Sequence, residues 1–218
     1  MPFTPLPATF TAELARAAPL AVLELGSGDG AFTAVLRELG AEAVTLDRGP
    51  AVAGVRAMVR GDVLRPPLRA SFAVVVAANL LRHVWTEVAA AGPTAWRDLV
   101  APGGALWILE DEPVDTPPAA RHYRDLQGLL ARMLPEQRGP LLARRRFEAR
   151  RRGWSWRGAW SSGDAENRWP GDPAAVLAWL DSGAVEPGSE VDRLARAIRS
   201  DGLSYGRYWW SCWRDEVG

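Results

Sequence analysis

The sequence has no lysine, two histidines and one cysteine among 218 residues. A lone cysteine, Cys212, cannot form an internal disulfide, so we expect a reducing, cytoplasmic location. The 26 basic residues, all arginine, are balanced by 26 acidic ones, so no net charge draws nucleic acid or an anionic membrane from a distance. Histidine and cysteine are not clustered with metal-ligand spacing, so no metal is expected.

Long apolar runs are also absent. No window approaches the roughly 18 uninterrupted apolar residues of a membrane-spanning helix. The first twenty residues have no charged segment leading into a long apolar stretch. We therefore expect a soluble chain. Its length suits one domain over 1–218, with a cofactor-binding half at 20–110 and a substrate-side half at 111–218.

Short apolar segments alternate with helical patterns in the first half of the chain. Phe32, Val35, Leu36 and Leu39 form a helical stripe that ends at Gly40, and a second helix is predicted over Thr94–Val100. This alternation predicts a doubly wound parallel α/β sheet with ligands at the carboxyl ends of its strands. The predicted strands are Ala21–Leu25, Ala43–Leu46, Ala57–Arg60, Ser71–Ala77 and, after a turn at residues 102–104, Ala105–Glu110.

A glycine-rich turn, LELGSGDG at 23–30, follows the first predicted strand. Gly26, Gly28 and Ala31 also fit the spacing of a dinucleotide-binding turn, so the glycines alone do not choose the ligand. The carboxylates of Glu24 and Asp29 would repel a pyrophosphate. They suit S-adenosylmethionine, which carries a sulfonium and an ammonium and no phosphate.

Two further acids end the next two strands. Asp47 lies 19 residues beyond Gly28, where a carboxylate can accept both ribose hydroxyls of either cofactor class. Asp62 can accept from an exocyclic adenine amine while Val63 packs on the ring. Both acids have a structural alternative as a helix or turn cap, as Asn79 does, and the glycines could make only a tight turn.

Five segments in order resemble the motifs of the class I S-adenosylmethionine-dependent methyltransferases: LELGSGDG, LD at 46–47, GDV at 61–63, FAVVVAANLLRHV and LVAPGGALWIL. The resemblance covers roughly residues 20–110. It implies a Rossmann-like, seven-stranded, mainly parallel sheet with helices on both faces and an antiparallel edge formed by the last two strands. It also implies S-adenosyl-L-methionine as cofactor, with the following residues around it: Glu24, Gly26, Ser27 and Gly28 at the methionine moiety, Asp47 at the ribose, Asp62 and Val63 at the adenine, and Asn79 near the methyl group.

The second half carries the features that would bind an acceptor. Trp154, Trp156 and Trp160 alternate with polar residues, as does YGRYWWSCW at 205–213, and these patterns predict strands six and seven. Helical patterns between them predict an α-helical insertion, a cap over the substrate near 163–201. An earlier helix is predicted from Tyr123 to Leu134, closed by Pro135. Most of the eleven tryptophans are interpreted as packing residues, with Trp85 beside the transferred methyl as the exception.

His83 lies near the expected methyl-transfer zone and titrates near neutral pH, so it is a candidate general base. The alternative, that it caps or packs a helix, stays open. His122 is interpreted as structural. The segment RRRFEARRR at 144–152 is either an RNA-binding surface or a solvated helix end.

The leading hypothesis is a methyltransferase acting on oxygen, nitrogen or carbon of a small hydrophobic or aromatic acceptor. An RNA methyltransferase that uses the 144–152 arginines is one alternative, and a cofactor-binding regulatory or scaffold protein without turnover is another. A short NAD-dependent oxidoreductase is disfavoured, because a chain without lysine has no Tyr-x-x-x-Lys pair.

Overall fold

A computed structural model describes residues 3, 5–17, 22–50, 55, 57–69, 71–134, 139–167, 173–181 and 185–215. Ala21, Pro135 and Trp169 lie outside the described residues, as do parts of the expected 163–201 cap. The strands are β1 Val22–Leu25, β2 Ala43–Asp47, β3 Ala57–Arg60, β4 Phe72–Ala78, β5 Val100–Glu112, β6 Ala159–Glu166 and β7 Arg207–Arg214. The helices are α1 Ala8–Ala17, α2 Ala31–Glu38, α3 Trp85–Val88, α4 Thr94–Arg97, α5 Pro118–Met133, α6 Arg144–Arg151, α7 Pro173–Asp181 and α8 Glu190–Asp201, with a 3₁₀ turn at Leu81–His83.

The seven strands form one sheet in the order β3-β2-β1-β4-β5-β7-β6. β1 to β5 are parallel, while β7 runs antiparallel to both β5 and β6. The predicted α/β sheet with an antiparallel edge is confirmed. The order reverses between β1 and β4, so the carboxyl ends of these two strands form the crevice where such sheets bind ligands.

The predicted start of β5 is wrong. The strand begins at Val100 rather than Ala105, and α4 ends at Arg97 rather than continuing to Val100. Pairing moves from Phe72 with Val100 directly to Val74 with Ala105, so the Pro-Gly-Gly segment bulges out within the strand. A Cβ on Gly104 would lie 2.7 Å from the Ala73 carbonyl oxygen, which explains a glycine there.

The predicted strand containing three tryptophans is also wrong in part, because only Trp160 lies in β6. Trp154 and Trp156 precede the strand, and their indole N–H groups donate to the carbonyls of Ala89 and Ala91, both at 3.1 Å. These bonds hold the segment against the chain after α3 instead of in the sheet. In α5, Tyr123 and Leu126 are buried as predicted. Met133 and Leu134, predicted on the same face, are exposed.

Apolar side chains cover both faces of the sheet. The alternation predicted for β7 is confirmed: Trp209 and Trp213 enter the core on one face, and Tyr208, with Trp210 against it, enters the core on the other. The first core is largely aromatic, and Phe147 of α6 stacks on Trp209 with ring centroids 4.7 Å apart. Trp85 is 7% exposed within this core, so it packs the fold as the other buried tryptophans do.

A third apolar cluster joins α5, α7 and α8, which we call the cap helices. α7 and α8 lie in sequence between β6 and β7. α5 follows the carboxyl end of β5, and β7 begins opposite Glu112 at that same end. The cap helices therefore connect to the sheet at the edge where ligands bind in this architecture.

The N-terminal helix is fastened to the sheet by one buried carboxylate. Glu13, on α1, accepts a hydrogen bond of 2.7 Å from Trp107 Nε1 of β5 and pairs with both terminal nitrogens of Arg214 at the end of β7. Phe3 and Phe10 pack nearby against Tyr208 and Trp107. Glu13 thus links the first helix to the last strand of the sheet, β7.

We expect Glu13→Ala to lower the free energy of unfolding by about 3 kcal/mol, because it leaves the Trp107 N–H and the Arg214 guanidinium without their acceptor. Urea denaturation would measure the change. Glu38→Ala, at an exposed position of α2, is the matched control. Equal midpoints for the two variants would contradict the role assigned to Glu13.

Candidate functional site

The glycine turn, residues 26–30, follows β1 at the centre of the sheet. Gly26 and Gly28 have φ values of +69° and +54°, a backbone region that favours glycine. A Cβ on Gly26 would lie 2.6 Å from Leu80 Cδ1, so Leu80 rests directly on the turn. A Cβ on Gly28 would meet nothing within 4 Å, so open space lies beside bare backbone at this position.

Beneath the turn, Glu24 is 1% exposed and accepts a 2.5 Å hydrogen bond from the Thr33 hydroxyl of α2. Burial raises its pKa to about 7 against that bond, and the charges of Asp47 and Asp29 raise it further. The buried Ser27 hydroxyl has no hydrogen-bond partner within the described parts of the chain. Among the described residues, the base of the turn therefore combines a carboxyl group without a positively charged partner and a hydroxyl without a hydrogen-bond partner.

Asp47 ends β2 next to the turn. Its Oδ2 accepts from the Gly28 N–H at 2.9 Å, and its Oδ1 accepts from the Gly49 N–H at 2.7 Å. The side chain is half-buried, and each carboxylate oxygen has a further lone pair. The structure thus brings together the turn and this acid, as the spacing predicts, and the two backbone bonds fix the direction of the carboxylate.

Asp62 follows β3, which is the next strand of the sheet beyond β2. Its Oδ1 accepts from the Leu64 N–H at 2.9 Å, and its Oδ2 pairs with Arg48 at 2.6 Å. The Leu64 bond, and after it Arg48, lower the pKa of Asp62. Its cap role within the turn is therefore observed, and the carboxylate remains partly exposed. Val63 is buried in the core, and its carbonyl accepts from Trp96 Nε1 at 2.9 Å.

Asn79 follows β4 and adopts a left-handed conformation with φ +52°. Its amide nitrogen donates to Asp111 Oδ2 at 2.9 Å, and its amide oxygen accepts from the Asp111 N–H at 3.0 Å. The side chain therefore points to the end of β5, although the sequence predicts that it faces the cofactor.

A buried charged cluster next to Asn79 was missed from the sequence. It comprises Arg82, Glu110, Asp111 and Tyr123, each at most 6% exposed. Glu110 Oε1 accepts from the Arg82 backbone N–H at 3.3 Å, and burial raises the pKa of Glu110 to about 7. Burial acts to lower the pKa of Arg82, but Tyr123, Glu110 and Asp111 raise it overall. Two consecutive acids at the end of an apolar strand were the available signal.

His83 adjoins this cluster. Its Nδ1 accepts from the Gly139 N–H at 2.9 Å, while Nε2 lies 3.3 Å from Arg82 Nε. The Nε–H of Arg82 donates to Nε2, so each ring nitrogen of His83 faces an N–H donor of the chain.

The carboxyl edge of the sheet holds several buried or half-buried carboxyl groups. Burial raises the pKa of Glu24, Glu110, Asp111 and Glu112, all of which lie at the ends of β1 and β5. A cation entering beside these groups would stabilise their ionised forms. The residues present therefore fit a ligand with a sulfonium and an ammonium better than one with a diphosphate.

Comparison with known proteins agrees with this geometry. Residues 23–108 match the family model described as a methyltransferase domain. A cyclopropane-fatty-acyl-phospholipid synthase-like protein from Lactobacillus casei has a TM-score of 0.61 at 18% identity, with 93% of this chain and 87% of that chain covered. A search of the curated proteins finds no match.

Two methyltransferases give weaker likenesses of the same kind. The enzyme from Geobacter sulfurreducens, solved with S-adenosyl-L-homocysteine, has a TM-score of 0.50 at 19% identity, covering 94% of this chain and 88% of that chain. A SAM-dependent methyltransferase from Archaeoglobus fulgidus has a TM-score of 0.50 at 15% identity, covering 95% and 93%. Residues 23–108 thus match a methyltransferase domain over the same region in which the sequence motifs resemble the class I S-adenosylmethionine-dependent methyltransferases.

Among the described residues, no group of three or more His, Cys, Asp or Glu side chains could hold a metal ion. No helix in this described part of the chain is long and apolar enough to cross a membrane.

The pKa of Glu24 predicts a pH-dependent stability. Between the ordinary value of 4.5 and about 7 the folded state binds more protons at this site than the unfolded state, so rising pH lowers stability across this window. Glu24→Gln removes that ionisation. Its stability relative to wild type should therefore rise by on the order of 3 kcal/mol between about pH 5 and about pH 8.

Urea unfolding at the two pH values would measure this difference, with the exposed Glu38→Gln as control. A difference between Glu24→Gln and wild type that is the same at both pH values would show that Glu24 does not titrate in this window.

Proposed function

We propose that the chain transfers a methyl group from S-adenosylmethionine to a small organic acceptor. One observation carries the cofactor part: the Gly28 N–H is tied to the Asp47 carboxylate at 2.9 Å, which sets the side-chain-free turn and the ribose-binding acid side by side. The methyltransferase match over residues 23–108 supports the reaction class. When bound, this cofactor supplies an electrophilic methyl group on its sulfonium.

Each part of the cofactor has proposed partners on the chain. Glu24, Gly26, Ser27 and Gly28 would line the methionine moiety, and the unpartnered Ser27 hydroxyl and bare Gly28 backbone support this. Asp47 would accept the ribose hydroxyls through its free lone pairs. Asp62 would accept a hydrogen bond from the adenine amine beside Val63, and the amine would compete with Arg48 for the carboxylate. Asn79 would act near the methyl group through the conformation of its backbone.

The acceptor would bind between the glycine turn and the cap helices. The core that the cap helices share is apolar, and the rings of Tyr123 and Tyr205 within it lie 4.5 Å apart. This composition supports a hydrophobic or aromatic small molecule, and residues 111–218 would then be the acceptor-binding half of a single domain. The expected cytoplasmic location remains a prediction.

An RNA acceptor has less support. Of the six arginines at 144–152, Arg144 bonds to Glu148 at 2.7 Å, and Arg151 lies over the Trp160 ring at 4.8 Å. Phe147 of the same helix is buried. These contacts favour a solvated helix end, packed on one side through Phe147, over an RNA-binding surface.

Isothermal titration would test the cofactor assignment. The wild-type chain should bind S-adenosylmethionine and S-adenosylhomocysteine but not NAD, because the edge is rich in carboxylates. Asp47→Ala should weaken both ligands by at least ~10-fold, since it removes charge-assisted hydrogen bonds to the ribose. Asp98→Ala, an exposed acid beyond α4, is the control and should bind as wild type does. A wild-type chain that binds NAD but neither S-adenosylmethionine nor S-adenosylhomocysteine would overturn the proposal.

His83 remains a proposed general base, and its contacts define how to test it. With Nδ1 bonded to the Gly139 N–H, His83 would act as a base through Nε2, which would have to exchange its contact with Arg82 Nε for the proton of the acceptor. If it is the base, His83→Gln should reduce methyl transfer from labelled S-adenosylmethionine into extract metabolites by ~100-fold or more, and should leave cofactor affinity unchanged. Undiminished transfer would assign His83 to packing. Absence of transfer by the wild-type chain, with cofactor bound, would favour the non-catalytic regulatory alternative.

A further inference from the structure

A short hydrogen-bonded chain connects α5 with the segment after β4, residues 79–84. The Tyr123 hydroxyl of α5 donates to Asp111 Oδ2 at 2.6 Å, and Asn79 Nδ2 donates to the same oxygen at 2.9 Å. The Asp111 N–H returns a bond of 3.0 Å to Asn79 Oδ1. Asp111 therefore joins a side chain of the cap helices to the first residue of the segment after β4.

These bonds stabilise Asn79 in a left-handed conformation that is uncommon for a non-glycine residue. A non-glycine residue at φ +52° costs about 1 kcal/mol or more, so surrounding contacts must maintain it. The two side-chain bonds to Asp111 do so, together with the Asn79 backbone N–H, which donates to the Leu109 carbonyl at 2.8 Å. The chain consequently turns sharply as it leaves β4.

The sharp turn determines where Leu80 lies. The Leu80 side chain covers Gly26 so closely that a Cβ there would lie 2.6 Å from its Cδ1. Leu80 is thus in contact with the glycine turn at the base of the proposed methionine pocket. Tyr123, Asp111, Asn79, Leu80 and Gly26 form an unbroken series of contacts from the cap helices to that pocket.

A buried carboxylate is a costly way to join two elements if packing is its only purpose. Asp111 is fully buried, and an apolar residue of similar size would avoid its desolvation. Its Oδ1 also has no hydrogen-bond partner within the described chain. The carboxylate offers what an apolar residue lacks: one oxygen that accepts two donors from different elements and so fixes their relative positions.

We propose that Asp111 and Tyr123 are positioning residues for methyl transfer: acting through Asn79, they hold Leu80 against the glycine turn and so shape the pocket for the methionine end of the cofactor. This inference rests on the proposed function. It assigns the adenosine end to different residues, Asp47 and Asp62, which the series of contacts does not include. Disrupting the series of contacts should therefore weaken binding of the methionine end of the cofactor and leave binding of the adenosine end unchanged.

Calorimetric titration of two variants with S-adenosylmethionine and with adenosine would test this. Tyr123→Phe removes the hydroxyl that donates to Asp111 and that also interacts with Arg82. Asn79→Gly removes both side-chain bonds yet tolerates the left-handed backbone. Loss of one or two buried hydrogen bonds should weaken S-adenosylmethionine by ~10-fold in each variant, with adenosine affinity unchanged within about twofold. Tyr208→Phe is the matched control, because Tyr208 is a buried tyrosine that bonds to the Pro5 carbonyl on the other side of the sheet.

Hydrogen exchange provides a readout that does not need the cofactor. Tyr123→Phe should accelerate amide exchange at residues 79–84 and 26–30, whereas Tyr208→Phe should not. Folded variants that lose affinity equally for adenosine and S-adenosylmethionine, or that keep wild-type affinity for both, would overturn the inference.

The two proposals fail in different ways. A wild-type chain that binds neither ligand contradicts the proposed function. In that case, unchanged exchange in Tyr123→Phe would overturn the positioning role as well, and accelerated exchange confined to 79–84 and 26–30 would support it.

Discussion

The organising constraint of this molecule is the burial of carboxyl groups at one edge of a parallel sheet. Glu24 at the end of β1, with Glu110 and Asp111 at the end of β5, are all at most 1% exposed. Arg82 is the buried guanidinium among them. Such an arrangement lowers stability, because burial favours the neutral carboxylic acid over the carboxylate. A cationic ligand bound beside Glu24, at the strand-order reversal, would offset this cost by stabilising the ionised carboxylate.

Backbone geometry and electrostatics act together at the turn. Glycines give close access to the main chain, and Asp47 takes up the N–H of Gly28 that could otherwise bind an anion. The turn therefore differs from a phosphate-binding loop, because its Gly28 N–H is bonded to a carboxylate. Its glycine spacing alone is compatible with such a loop. The neighbouring acids, rather than the glycines, discriminate between the two ligand classes.

Local sequence patterns were sufficient for the parallel strands β1 to β4 and for the positions of Asp47 and Asp62 at strand ends. The β-branched run in β4 and the glycine after β1 are short-range signals, and Asp47 needed only its position at a strand end. What failed depended on contacts distant in sequence. β5 begins at Val100 because Phe72 pairs with it across a bulge, and Trp154 leaves the strand because Ala89 offers a carbonyl. Phe72 and Ala89 are too far from Val100 and Trp154 in the sequence for a local pattern to include them.

The same limit explains the buried cluster. Arg82 and Asp111 are 29 positions apart, and Tyr123 lies on a helix whose apolar stripe reads as ordinary packing. Only the fold shows that the tyrosine hydroxyl reaches the end of β5. The direction of the Asn79 side chain has the same cause, since its partner Asp111 lies on the adjacent strand β5.

Strand order also has a consequence for biogenesis. β7 is the last strand in the chain, yet it lies between β5 and β6, so β6 has no place in the sheet until residues 207–214 leave the ribosome. Trp209 and Trp213 of that final strand complete the aromatic core around Phe147 and Trp156. Until residues 207–214 have been translated, Phe147 and Trp156 have no covering strand, so the nascent chain exposes an aggregation-prone aromatic surface.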